Sequence, residues 1–156
     1  MNDSMSAFYD ITQKALIQIQ SMLASEQEKR SALLNHNTEK IESLLQEQQA
    51  MMMKLEGLEK KRLASQADAG FLSLTSTQIL EKMDKEERKL FAPLFTEMRH
   101  AATQLQELNF ISLDLAHAEL RFMERLSASE ENHALYQSDG KKRTASHVGA
   151  SFEEKI

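Results

Sequence analysis

The chain has 156 residues, enough for one domain with a real core, yet only four glycines, one proline, no tryptophan, no cysteine and a net charge of −5. So few turn formers exclude an all-β or α/β fold, and the lack of cysteine excludes disulfides and thiolate metal sites. Acidic and basic residues are interspersed without a basic stripe, which argues against a nucleic-acid partner.

The N-terminus lacks the basic-then-apolar pattern of a secretory signal, and no apolar run approaches the roughly 18 residues of a membrane span. The expected compartment is the cytoplasm, with no membrane span and no nucleic acid bound.

The first predicted element covers residues 7–65. Leu16, Ile19 and Leu23, then Leu33, Ile41, Leu44, Met51, Leu55 and Leu58, recur at three- and four-residue steps, the mark of an amphipathic helix. Between Leu33 and Ile41 two four-residue steps follow each other, a stutter that relaxes a left-handed supercoil. Glu26 with Arg30 and Glu56 with Lys60 have the favoured acid-then-base order. Without a proline to interrupt it, such a helix of about 55 residues would be a rod about 80 Å long. Met51-Met52-Met53 has the adaptability of a Met-rich binding surface, but the simpler expectation is that Met51 is core and the others incidental.

Residues 65–77 break the pattern at Gly70, and Thr75, Ser76 and Thr77 offer N-caps for a short helix over 78–83. Asp84 with Glu87 is an acidic variant of the capping box, fitting either a restart of the helix or a place within it. The second long element covers residues 85–128, with a stripe through Phe91, Leu94, Met98, Ala101, Leu105, Leu108, Ser112, Leu115, Glu119, Phe122 and Leu126. Phe95, Ala102, Phe110, Ile111 and Leu113 widen it, so this helix should touch more than one neighbour. Pro93 should kink it or mark its first turn. From residue 129 the chain turns polar, with Leu135, Tyr136, Val148, Phe152 and Ile156 as isolated anchors. Two units are expected: a helical bundle over 1–128 and a mobile partner-binding tail over 129–156. The fold class is all-α, an elongated antiparallel bundle or coiled-coil hairpin of two long helices with a short connecting helix.

A search for chemistry finds little. There is no cysteine, no Gly-x-Ser-x-Gly turn and no Gly-rich phosphate loop. Glu97 and His100 have the Glu-x-x-His spacing of di-iron bundles, and Asp114 with His117 echoes it weakly. Seventeen residues apart on one helix, the pairs would be separated by about 25 Å and would not share a metal centre within one chain. No enzyme activity, cofactor or metal is expected. Asn109, beside the seam, is a candidate register-setting residue or a boundary residue.

Several segments resemble the FlgN-type export chaperones of the bacterial flagellum. Glu47-Gln48-Gln49-Ala50 through Leu58-Glu59-Lys60-Lys61-Arg62 is similar to the close of that family's first helix. Leu105-Gln106-Glu107-Leu108-Asn109, followed by a leucine-rich run to Leu126, is similar to its second helix, with Ser112 where a further asparagine would be expected. Ala134-Leu135-Tyr136-Gln137-Ser138-Asp139-Gly140 resembles its tyrosine-glycine tail, and Ser151-Phe152-Glu153-Glu154-Lys155-Ile156 its charged end.

The resemblance implies a cytosolic chaperone of hook-associated (junction) proteins. It implies binding to the clients' C-terminal helices and delivery to the export gate, with the export ATPase complex as a further contact and Tyr136 as a gate-docking candidate. The physical expectation is a groove holding Leu108, Asn109, Leu115, Phe122, Met123 and Leu126, closed by Leu135 and Tyr136 ahead of Gly140, around a client helix. A structural coiled-coil scaffold without a client is the alternative. A homodimer would cover the same stripe.

Overall fold

The computed structural model describes the backbone of residues 1–137 and the side chains of residues 1–131. Four helices follow in order: α1 (Asp3–Leu34), α2 (Thr38–Asp68), α3 (Ser76–Lys82) and α4 (Lys85–Gln137). The all-α bundle expected from the sequence is present, and no strand occurs among the described residues. The first long rod is not. It folds back on itself at residues 35–37, so the bundle has three long helices instead of two.

The two consecutive four-residue steps between Leu33 and Ile41 mark a turn and not a stutter. Asn37 donates its backbone N–H to the carbonyl of Ala32 at 3.0 Å, and His36 donates to Leu33 at 3.3 Å. That pair of bonds is a Schellman motif, with His36 in the left-handed region at φ 53°. The Asn37 side chain then accepts from the Lys40 N–H at 3.2 Å and caps α2. The same motif closes α2, where Phe71 donates to Gln66 and Gly70 to Ala67, both at 2.9 Å, with Gly70 at φ 86°.

The other boundaries are set by short-range chemistry. Asn2 caps α1 by accepting from Met5 N–H at 2.9 Å. Thr75 and Gln78 form a reciprocal capping box at α3. Asp84 accepts from Glu87 N–H at 2.8 Å while Glu87 reaches back to the Asp84 N–H, so this pair restarts the helix as α4. Arg88 covers the end of α3, donating to the carbonyls of Leu80 and Met83. Pro93 lies inside α4, beyond its first turn.

α1 is the central helix. α2 and α4 each pack along it and hardly touch one another. α2 runs antiparallel to α1 and α4 runs parallel to it, as shown by Gln18 bonding to Met51 and by Phe8 and His36 meeting Phe91 and Phe122. The core comes in layers. At the base, Phe8 sits among Phe71, Phe91 and Phe95 with ring centroids 6.3, 5.4 and 6.2 Å away. Leu16, Ile19, Leu94 and Ala101 form the next layer, and Ala32, Leu33, Ile41, Leu44, Leu45 and Ala116 the layer under the hairpin turn.

Between those two layers the core is polar. Lys29 Nζ lies 3.1 Å from Glu26 Oε1 and donates to Gln48 Oε1 at 3.0 Å, while Gln48 Nε2 donates to Glu26 Oε2 at 2.8 Å. Glu26 and Lys29 are 2% and 3% exposed, so the three side chains satisfy one another away from water. The Asn109 amide, turned with its nitrogen inward, donates to both Glu26 oxygens at 3.0 and 3.1 Å.

Candidate partner-binding surface

α4 is longer than the bundle that supports it. The hairpin turn meets it at His36, whose ring stacks on Phe122 with centroids 4.4 Å apart and hydrogen-bonds the buried carboxylate of Glu119. Past Phe122, fifteen more residues of helix run on to Gln137, a length of about 22 Å. Helix therefore continues through the boundary expected at residue 128.

The described side chains expected to bind a partner do not all share one surface. Leu108, Leu115, Phe122 and Leu126 share one flank of α4, joined there by Ile111 and Ala118 at three- and four-residue steps. Ile111 and Phe122 are each 40% exposed and Leu126 is 50% exposed, while Leu108 is half-buried and Leu115 packs on the upper core. Asn109 is on the opposite flank, over Glu26. Met123 is half-buried one position past the stripe. The backbone of Leu135 and Tyr136 belongs to the last turn of α4, their side chains lie outside the described set, and Gly140 lies outside the described residues altogether.

A second apolar surface was not anticipated. Because α2 and α4 do not close on each other, a groove floored by Ile19 and Met22 of α1 runs between them. Leu55, Leu63, Met98 and Leu105 line its walls. Met52 and Met53, 45% and 68% exposed, stand at its rim, while Met51 is half-buried and its carbonyl accepts from Gln18. No periodicity argument finds this groove while α1 and α2 are read as a single rod.

Glu97 and His100 are exposed, and among the described residues no three His, Asp or Glu side chains cluster closely enough to hold a metal ion. No described helix is long and apolar enough to cross a membrane.

Residues 1–144 match the family model described as FlgN protein. The chain belongs to the FlgN family. The match spans the whole bundle, including the extended end of α4 and Tyr136. FlgN proteins are flagellar export chaperones and not enzymes, which fits a scaffold whose most conspicuous features are uncovered apolar helix faces. No curated protein and no solved structure matched the chain.

Proposed function

We propose that this FlgN-family protein is a cytoplasmic export chaperone for hook-associated junction proteins. It would bind their helical C-terminal segments, prevent premature assembly and deliver them to the flagellar type III export gate. The observation that carries this reading is the apolar stripe on α4, exposed at Ile111, Phe122 and Leu126 and continued by helix beyond the hairpin turn. A client with an unpaired amphipathic helix has the complementary problem, an apolar face that aggregates in water. Laying one stripe on the other buries both. A contact of about 800 Å² per partner with micromolar to nanomolar affinity would permit both capture and release.

In this scheme Leu108, Leu115, Phe122, Met123 and Leu126 hold the client, with Asn109 fixing the register of the bundle beside them. Leu135 and Tyr136, ahead of Gly140, close over the client or meet the gate, where a tyrosine offers large area with a polar tip at low entropic cost.

Calorimetric titration with a peptide from a junction protein's C-terminal helix tests the reading. Phe122→Asp with Leu126→Asp should weaken binding by about tenfold or more, since a carboxylate on a desolvated apolar stripe is costly. Deleting residues 129–156 should abolish binding while the helical signal of the bundle persists. Unchanged affinity in the double variant overturns the stripe, and unchanged affinity in the truncation overturns the closing role of the tail. Failure of the native chain to bind any junction-protein segment favours the scaffold without a client.

A further inference from the structure

The flank of α4 that carries the stripe also carries an ordered set of charges. Glu107 and Asp114 precede its midpoint, Arg121 and Arg125 follow it, and all four are exposed. They lie along one edge of the stripe formed by Leu108, Ile111, Leu115, Ala118 and Phe122. The helix edge is thus acidic toward its start and basic toward its end.

We propose that this flank pairs with the same flank of a second copy of the chain, antiparallel, when no other helix covers it. Running the two α4 helices in opposite directions sets Ile111 against the second copy's Phe122 and Leu115 against its Ala118, a large side chain facing a small one at the centre. The same register brings Asp114 beside the second copy's Arg121 and Glu107 beside its Arg125, each twice because the pairing is two-fold symmetric. A parallel pair would set this edge against the opposite edge of the second helix, so these four charges meet one another only when the helices run antiparallel. Charge thus selects the antiparallel arrangement, as flanking positions do in coiled coils. The bundle covers only the inner side of the stripe, where Leu115 packs on the upper core and the His36 ring stacks on Phe122, and Ile111, Ala118 and Phe122 stay exposed along the seam.

The stripe is the surface assigned above to the client. Resting on that reading, the second copy acts as a cap that a client helix displaces. The pairing itself stands independently of it, because it is measured with the chaperone alone.

The test uses the full chain and two charge reversals, Asp114→Arg and Arg121→Asp, both at exposed positions. Sedimentation equilibrium at micromolar concentration should show a dimer for the native chain. Each variant alone should dissociate about tenfold or more readily, because like charges then face each other twice. Mixed in equal amounts, the two variants should form a heterodimer of native strength, since arginine at position 114 meets aspartate at 121 and the native Arg121 meets the native Asp114. Circular dichroism of each variant confirms that the bundle is intact. A native chain that stays monomeric overturns the pairing. So does a dimer indifferent to both reversals, or a mixture that fails to recombine. Such results leave client binding untouched, since that is read by titration. If the chain dimerises as described but a client peptide does not release monomer, the pairing stands and the shared-site reading fails.

Discussion

Replacing Lys29 by methionine should destabilise the bundle more than any other change of similar size. The lysine is 3% exposed and its ammonium lies 3.1 Å from the Glu26 carboxylate, itself 2% exposed. Methionine keeps much of the volume but removes the one cation that contacts Glu26 among the described residues, leaving a buried carboxylate that accepts from the Gln48 and Asn109 amides. Breaking a buried pair on one side costs about 3–5 kcal/mol, whereas replacing both partners by well-packed apolar groups is near neutral or stabilising. For a chain of this length each kcal/mol moves the unfolding midpoint by about 2–4 °C, so Lys29→Met should lower it by roughly 6–20 °C. Adding Glu26→Leu to that variant should restore most of the loss.

The assay is urea unfolding followed by far-ultraviolet circular dichroism on the native chain, both single variants and the double, read as a cycle. Two outcomes refute the reasoning: a single-variant cost below about 1 kcal/mol, which would mean that water reaches the pair, or a double variant whose loss equals the sum of the singles.

Phe8→Ala, which removes a fully buried ring touching three others, should cost about 3–5 kcal/mol in the same assay, and a cost under about 1.5 kcal/mol would show that the base of the bundle collapses around the gap. The Ser112 hydroxyl is buried without a hydrogen-bond partner among the described residues, so Ser112→Ala should raise stability by about 1 kcal/mol, and a loss would show that the hydroxyl is satisfied in solution.

The helical class and a short α3 capped from among Thr75, Ser76 and Thr77 could be read locally, because each depends on residues within one turn of one another, whereas the Asp84–Glu87 box fitted both a restart and a helix interior until the structure placed it at the start of α4. The stripe through Leu108, Leu115, Phe122 and Leu126 was legible for the same reason: periodicity alone places those residues on one flank of α4. The groove between α2 and α4 was not legible, because it depends on three helices meeting and on two of them failing to close.

The two Schellman turns separate what the sequence by itself determined from what the tertiary structure decided. At Gly70 the left-handed backbone carries no penalty from a side chain, so the residue type alone announces the end of α2. At His36 the same conformation costs about 1–2 kcal/mol, and nothing in a periodic reading offsets it. Asn35 and Asn37 on either side were the available signal, and an eight-residue gap from Leu33 to Ile41 that fits both a stutter and a turn concealed it. The cost is offset only in the folded chain, where the His36 ring stacks on Phe122 and bonds to Glu119 from a helix more than eighty residues away. Helix formation is a local free energy and can be read along the chain. The place where a long helix turns back depends on contacts that exist only after it has turned.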